Sequence, residues 1–339
     1  MLIGIVAVVI FLVILILVHE IGHFLAAKKF GFLVEEFGIG LPPRIWGKKI
    51  GETVYSVNAL PFGGFVKIFG ENGERKTEER SFSSLAIGKR AIVISAGVLM
   101  NFLFGWLVIS IVFNIGIPSA ILITNVAPNS PAAEAGLLVG DKIVAAEANS
   151  VENFVKFINE SKGKMVSFKI ERAGKEIEIQ AVPRIDAPAN EGALGIGLVE
   201  GGLPKKNLLA SVWEGFKTSI EMIKNIFIAL FNLITRAFVG KAGLEQIAGP
   251  VGIVKITAQA SNLGFIYLLQ LLALISLNLA VINIFPFPAL DGGRLLFLLI
   301  EKIKGAPLPV KIERYANAAG MALLLFLMIV ITIKDIIRF

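Results

Sequence analysis

Four long apolar runs divide the chain, and each is long enough to form a membrane-spanning helix. They cover residues 2–27, 91–113, 265–285 and 317–333. A helix needs about 20 predominantly apolar residues to cross the hydrocarbon core of a bilayer, with a range of about 17 to 25. The hydrophobic pattern therefore predicts a polytopic α-helical membrane protein with four transmembrane helices.

The segment between the first two runs, residues 32–69, has a different pattern, in which apolar and polar residues alternate. Pro61 and Gly63-Gly64 interrupt the alternation. A period of two residues is typical of strands, and glycine and proline mark the turns between them. We expect a membrane-associated β-hairpin region here, followed by a polar connecting loop over residues 70–84.

Residues 120–200 form the one stretch that is clearly typical of a soluble domain. Within it, residues 166–172 and 175–182 alternate on either side of Ala173-Gly174, which predicts a hairpin. Residues 151–161 are suited to a helix. These signals predict one small α+β domain outside the membrane.

Residues 204–240 are apolar but are interrupted by charge. The first half carries Glu214, Lys217, Glu221 and Lys224, interleaved with aromatic residues. Charged and aromatic residues mixed along one helix are typical of a helix that lies in the membrane interface. We therefore expect an amphipathic interfacial helix here rather than a fifth span.

Composition supports a membrane protein and restricts its chemistry. The chain has 339 residues, of which 55% are hydrophobic and 17% charged, and its mean hydropathy is +0.77. It contains no cysteine, so disulfides and thiolate metal ligands are excluded. The net charge of +7 occurs without a nucleic-acid-binding motif, so we expect no nucleic-acid partner. In a membrane protein, an excess of positive charge is better explained by topology, because lysine and arginine are concentrated in cytoplasmic loops, and by contact with lipid headgroups.

The strongest chemical signal is His19-Glu20-Ile21-Gly22-His23, near the end of the first span. Residues four apart share one face of a helix, so both imidazoles can reach one metal ion, with Glu20 beside them as a general base. An ionisable residue within a membrane helix costs about 2.5–3.5 kcal/mol and tends to mark a functional site. Two alternatives are solvated side chains at the helix end and histidine ligation of haem. A pair on one face suits one shared ion better than the opposed axial positions of haem.

A catalytic zinc site takes three protein ligands and a water molecule, and the chain has no histidine besides His19 and His23. The third ligand must then be a carboxylate, and Asp291 is the candidate because it directly follows the third span. In isolation, an aspartate followed by glycine favours an N-cap or a turn. Pro286 and Pro288 argue against a routine turn, because irregular backbone at membrane depth is tolerated only where it lines a cavity or is buried in protein.

The positions of these candidate ligands predict the topology. If His19, His23 and Asp291 meet at one ion, the first and third spans must cross the membrane in the same direction. One crossing, by residues 91–113, then separates them, and a further crossing by the amphipathic helix would place Asp291 on the opposite side. Lysine and arginine are frequent in the first and third loops and do not occur from residue 91 to 141. The positive-inside rule then places the metal site on the cytosolic side and the α+β domain outside.

Together these motifs resemble the site-2 protease family, the intramembrane zinc metalloproteases of peptidase M50 type, and in particular its bacterial RseP-like group. The resemblance is carried by H-E-x-x-H in the first span and by N-x-x-P-x-P-x-L-D-G, which begins at Asn283 in the third. Gly240-Lys241 followed by Gly-Pro-Val-Gly-Ile at residues 249–253 is similar to the segment that precedes the third span in that group.

The α+β domain resembles a bacterial PDZ domain. Residues 135–143 read Ala-Gly-Leu-x-x-Gly-Asp-x-Ile, and Leu194-Gly195-Ile196-Gly197 would supply the loop and strand that receive an extended peptide. The chain differs from the family's pattern in three ways. It has one PDZ domain where some relatives carry two, Val98 stands where many relatives have proline, and Asn149-Ser150 replaces a common Asn-Gly turn.

The resemblance implies an enzyme that hydrolyses peptide bonds within transmembrane segments of membrane proteins. It implies a zinc cofactor held by His19, His23 and Asp291, with Glu20 as the base and Asn283 in contact with the substrate. Anti-sigma factors and remnant signal peptides are the substrates it suggests, in the bacterial cytoplasmic (inner) membrane. Membrane lipids, and a peptide C-terminus at the PDZ domain, are the other expected partners.

Two further sets of residues are candidates for the site. An exposed strand in the hairpin region, at Gly64, Phe65 and Val66, would hold an unwound substrate by β-addition. In the second span, Gly97 and Asn101 share one helix face, and small and polar residues at that spacing favour close helix packing. Asn101 is in addition a candidate for a part in the active site.

The expected organisation has two catalytic membrane halves. They comprise residues 1–113 and 265–339, and the PDZ domain (120–200) and the interfacial helix (204–240) lie between them. Two other function classes are weighed against a protease. A metal-ion transporter would carry polar residues in several spans, but the last span has almost none. A membrane adaptor or chaperone that uses only the PDZ domain would not need an intact Glu20.

Overall fold

A computed structural model describes residues 2–71, 78–144, 150–172, 174–188, 191–238 and 248–338. The chain forms two compact units. The membrane unit comprises Met1–Ile109, Gly215–Thr257 and Gln270–Phe339, and the sheet unit comprises Ser110–Glu214 and Ala258–Leu269. Of the sequence features above, Gly240-Lys241, Asn149 and Ala173 lie outside the described residues.

The helices are, in chain order, α1 (Leu2–Lys29), α2 (Ile87–Ile115), α3 (Pro131–Glu134), α4 (Val151–Glu160), α5 (Leu208–Phe238), α6 (Pro250–Leu263), α7 (Phe265–Ile284), α8 (Asp291–Lys304) and α9 (Val310–Arg338). The strands are β1 (Val34–Ile50), β2 (Thr53–Ile68), β3 (Ile117–Val126), β4 (Lys142–Ile143), β5 (Val166–Arg172), β6 (Lys175–Ala181) and β7 (Ile196–Leu203).

In the described part of the chain, five helices are long and apolar enough to cross a membrane, namely α1, α2, α5, α7 and α9. The protein is thus a polytopic helical membrane protein that also contains β-sheet. The four predicted spans are among the five, and three of them extend beyond their apolar runs. Lysine and arginine, such as Lys28 and Arg90, are good helix formers and continue a helix past the hydrocarbon core. The fifth candidate, Leu208–Arg236, coincides with the predicted interfacial helix.

Helix α8 is not predicted by the sequence pattern. It begins at Asp291 and ends at Lys304, and its C-cap, Gly305, takes the left-handed conformation with φ of 74°. Gly292 and Gly293 obscure its start, because glycine is unfavourable in helices. The structure shows why they are glycines: a Cβ on Gly292 would collide with the carbonyl oxygen of Ile284.

Helix α6 is also absent from the sequence prediction, and at 14 residues it is too short to span a bilayer. Its first turn is held by Asp335 near the end of α9. The backbone amides of Gly249 and Gly252 both donate to Asp335 Oδ2 at 2.8 Å. This carboxylate satisfies two of the amides that a helix start leaves without partners.

Strands β1 and β2 form the predicted hairpin region, but they pair more extensively than a simple ribbon. Residues 36–39 pair with residues 54–57 on one side and residues 64–67 on the other, while residues 44–50 pair with residues 53–58. Several bulges allow this arrangement by bending the strands. As a result, the last part of β2 is an outer strand that pairs on one side only among the described residues.

The sheet unit contains a five-stranded antiparallel sheet in the order β6-β5-β4-β3-β7. The predicted hairpin is β5 and β6, and the predicted helix is α4. The core lies between the sheet and α4, where Phe154 packs edge-to-face against Phe168. Helix α3 begins at Ser130, whose hydroxyl accepts a hydrogen bond from the amide of Ala133 at 3.2 Å.

Candidate metal centre

His19 and His23 lie one turn apart on α1, and their rings meet edge-to-face. Their Nε2 atoms are 3.1 Å apart. Asp291 Oδ2 lies 3.1 Å from Nε2 of His19 and 3.4 Å from Nε2 of His23. The structure therefore brings together the three ligands predicted from the sequence. They come from the first and the last of the chain segments that make up the membrane unit.

Asp291 reaches this position because it is the first residue of α8 rather than its cap. Leu290 occupies the N-cap position, and its side chain makes no capping bond. The loop before it is fixed from α9: the amide of Ala289, which has φ of 77°, donates to Asn317 Oδ1 at 3.0 Å. Gly320 of α9 lies so close to Pro288 that a Cβ there would collide with the proline carbonyl. The Asp291 side chain is thus free to face the two histidines.

Zinc fits these residues. Asp291 Oδ2 is buried and has no hydrogen-bond donor among the described residues, although buried polar atoms nearly always have a partner. Two ligands that are each about 2.0–2.1 Å from a tetrahedral zinc lie about 3.3 Å apart. The three distances of 3.1 to 3.4 Å match that spacing. Two neutral imidazoles and one carboxylate are also a donor set that zinc accepts.

Helix α2 orients both imidazoles. His23 Nδ1 donates to the carbonyl oxygen of Val93 at 2.8 Å, which leaves Nε2 unprotonated for a metal. Asn101 Nδ2 lies 3.3 Å from His19 Nδ1, and Asn101 Oδ1 has no partner among the described residues. With the amide turned so that Oδ1 faces His19, this oxygen accepts the Nδ1 proton and leaves Nε2 of His19 available as well.

The residues of α2 that reach the site are four apart, at Val93, Gly97 and Asn101, and so share one face. A Cβ on Gly97 would lie 2.5 Å from His23 Nε2 and 2.7 Å from His19 Cε1. The sequence suggested Gly97 and Asn101 through their spacing. The valine at position 98, where many relatives have proline, does not prevent α2 from contacting the site. The contribution of Val93 was missed, because a backbone carbonyl leaves no signal in the residue type.

A cavity of about 310 Å³ surrounds the three ligand atoms. Glu20 and Asn283 line it, and so do Phe65 and Val66 of the outer strand. Gly64 lies beside it, since a Cβ there would be 3.3 Å from Glu20 Cγ. The structure thus places every predicted site residue at this cavity or, for Asn101, against a ligand that lines it.

Comparisons with known proteins agree on the family. A family model described as Peptidase family M50 matches residues 7–327. A protein of Clostridium perfringens, named as a candidate zinc metalloprotease, is 38% identical over 329 residues, which cover 95% of each chain. The regulator of sigma-W protease RasP of Bacillus subtilis is 30% identical over 410 residues, covering 96% of each chain. The regulator of sigma-E protease RseP of Escherichia coli is 27% identical over 435 residues, again covering 96% of each.

Proposed function

The chain belongs to peptidase family M50 and is an intramembrane zinc metalloprotease of the RasP and RseP type, and on this premise we propose the roles of its residues. His19, His23 and Asp291 hold the zinc, and Glu20 is the general base. The observation that carries this proposal is the convergence of three ligand atoms, one of them a buried carboxylate oxygen without a donor, in the cavity that Glu20 lines.

Zinc in such a site lowers the pKa of a bound water towards about 7 and polarises the carbonyl of the bond to be cut. The Glu20 carboxylate accepts a proton from the attacking water as the new C–O bond forms. It then donates this proton to the leaving nitrogen as the C–N bond breaks. The proton therefore passes from water to the amine product, and no covalent enzyme intermediate is needed.

The substrate is a membrane-spanning helix, whose peptide bonds are shielded by their own hydrogen bonds until it unwinds. The outer strand of the hairpin region, at Gly64, Phe65 and Val66, offers backbone groups beside the metal cavity. We propose that an unwound substrate adds to this edge as a further strand. Asn283 lines the same cavity from α7 and donates a hydrogen bond to the substrate backbone.

The proposed topology has four spans, with α5 in the interface. His19 and His23 lie near the C-terminal end of α1, and Asp291 lies seven residues after Ile284, the C-terminal end of α7. Their meeting at one site supports parallel crossing of these two helices, with α2 as the one crossing between them. Charges along α5 favour the interface over a span. The metal site then faces the cytosol, in the bacterial cytoplasmic membrane.

The sheet unit is proposed to be the single PDZ domain, on the extracytoplasmic side. Its edge strand β7 begins within the Leu194-Gly195-Ile196-Gly197 segment, at Ile196, and α4 lies beside β7, where the amide of Val151 donates to Glu200 at 2.7 Å. Such an edge can receive a peptide C-terminus or restrict the size of substrates. Because two relatives are named as regulators of sigma-W and sigma-E, anti-sigma factors are the proposed substrates, together with remnant signal peptides.

The test is cleavage of a single-span model substrate, lacking a large external domain, by the purified full-length protein in lipid vesicles. We expect Glu20→Gln to lower the rate by about 10²–10⁴-fold, with zinc content unchanged. Glu160→Gln, an exposed carboxylate on α4, is the matched control and should cleave like the wild type.

Three outcomes would contradict the proposal. Cleavage by Glu20→Gln at the wild-type rate would remove Glu20 from the reaction. A wild-type protein that holds zinc but does not cut would favour the adaptor role. A wild-type protein without zinc would overturn the metal site itself.

A further inference from the structure

Two ion pairs connect one face of α8 to other segments of the membrane unit. Asp291, Arg294, Leu298 and Glu301 are spaced three or four residues apart and share this face. Arg294 Nη2 lies 2.6 Å from Glu71 Oε1. Two turns further on, Glu301 accepts two bonds from the Arg90 guanidinium, at 2.8 and 3.1 Å.

Both pairs are built around the buried ring of Phe82. The guanidinium of Arg90 lies 5.3 Å from the ring centroid and that of Arg294 lies 5.7 Å from it. A cation over an aromatic face is held by the ring quadrupole. The two pairs are therefore alike in chemistry, in their helix face and in their aromatic support, and they differ in what each one joins.

The Arg294–Glu71 pair joins the metal ligand to the outer strand. Arg294 is one turn after Asp291 on α8. Glu71 lies just beyond β2, and its Oε2 accepts from the amide of Ile68 at 3.4 Å, at the end of the outer strand. The pair thus connects the segment that carries a zinc ligand with the segment that lines the opposite part of the cavity through Phe65 and Val66.

The Arg90–Glu301 pair has no such connection. It ties the last turns of α8 to the first turn of α2, and it lines only a neighbouring polar cavity of about 740 Å³. Glu71 and Arg294 line both this cavity and the metal cavity. The first pair therefore lies in the wall of the site, and the second lies outside it.

We propose that Arg294 and Glu71 are positioning residues that keep the outer strand in register with Asp291, so that the peptide bond of a bound substrate faces the metal. The inference rests on the proposed function, in which that strand presents the substrate. A charged pair between the two segments fixes both distance and direction, because its hydrogen-bonding groups must point at one another. Loss of the pair leaves the ligands in place and lets the strand shift.

The experiment compares Glu71→Gln, Arg294→Gln and the double variant with Arg90→Gln and Glu301→Gln as matched controls. The full-length protein in lipid vesicles is tested for zinc content, for kcat and KM on the single-span substrate, and for Tm. We expect either substitution in the first pair to lower kcat/KM at least tenfold, mainly through kcat, with one zinc retained. The double variant should be no worse than either single one, because the two residues act as a unit. The controls should lower Tm but change kcat/KM less than threefold.

Three results would overturn the inference: equal losses of activity in both pairs, loss of zinc together with activity in Arg294→Gln, or independent losses that multiply in the double variant. Failure of the proposed function is distinguishable, because the wild type would then show no cleavage that depends on Glu20.

Discussion

Two aspartates, one in each unit, show how a structural carboxylate differs from one that is proposed to bind a metal. Asp141 of the sheet unit is 1% exposed, and both of its oxygens are paired. Arg172 donates to them at 2.7 and 2.6 Å, and the amide of Leu138 donates at 2.8 Å. The carboxylate in turn raises the pKa of the Arg172 guanidinium through this hydrogen bonding. Asp141 is surrounded by donors.

The Asp291 side chain of the membrane unit is 13% exposed, but its Oδ2 atom is buried, and its surroundings differ. Its Oδ2 has no donor and faces the Nε2 atoms of His19 and His23, whose other ring nitrogens are already used by α2. Three electron-pair donors that converge on one point need a cation between them. Burial alone therefore does not mark a functional carboxylate; the nature of its neighbours does.

The largest effects on zinc binding, cleavage and stability are expected from substitution of these two aspartates. Asp291→Asn should lose bound zinc and reduce cleavage by more than the about 10–100-fold that is typical for residues that only orient ligands. Asp141→Asn should keep zinc and the chemical step but destabilise the sheet unit by about 3 kcal/mol, the lower end for a broken buried pair, since Arg172 is partly exposed.

Zinc content, cleavage rate and hydrogen exchange of residues 117–203 in the full-length protein separate these effects. The contrast between the two aspartates fails if Asp141→Asn loses zinc, or if Asp291→Asn keeps both zinc and activity.

The next effect concerns the close approach of α2 to the imidazoles. Gly97→Ala places a Cβ against both rings and should reduce zinc affinity or activity by about 10–100-fold. Gly88→Ala, in the first turn of the same helix, meets no atom within 4 Å and should be neutral. Titration of both variants with zinc measures the difference in affinity. Equal behaviour of the two would mean that the rings do not depend on this contact.

The smallest effect is expected at Asn283. Asn283→Leu should weaken cleavage by up to about tenfold, the value of one neutral hydrogen bond to substrate, and leave the zinc content intact. Asn278→Leu is the matched control on α7, since its amide donates only to the carbonyl of Leu274 in its own helix. If Asn283→Leu lost zinc, its role would be structural rather than in substrate binding.

The candidate ligands could be named from the sequence because the chain offers so few choices of residue type. It has two histidines and no cysteine, so the first two ligands and the class of the third follow from composition and spacing. Asp291 was then selected by its position after a span and by the prolines before it. Asn101 and Gly97 followed from their separation of four residues.

Other parts of the site could not be predicted, for reasons that are physical. The Val93 carbonyl belongs to the backbone and is independent of residue type. The Arg294–Glu71 pair joins residues far apart in the chain, and no periodic pattern encodes such a contact. Helix α8 was missed because its paired glycines lower helix propensity. Their role is to avoid steric collisions, of Gly292 with the end of α7 and of Gly293 with the loop that follows it. Residues 36–39 of β1 pair with two different segments of β2. This pairing depends on bulges, which the alternation of apolar and polar residues in the sequence does not reveal.

The separation of the ligands along the chain has a consequence for biosynthesis. His19 and His23 enter the membrane with the first helix, whereas Asp291 is translated only after α7 has followed. The nascent chain therefore carries two imidazoles and a base for most of its synthesis, but no complete zinc site. Because a metal site of this kind forms only as its ligands come together, peptidase activity begins when the last part of the membrane unit is in place. A ribosome-bound precursor that ends before Asp291 therefore lacks the third proposed ligand, and we expect it to be inactive.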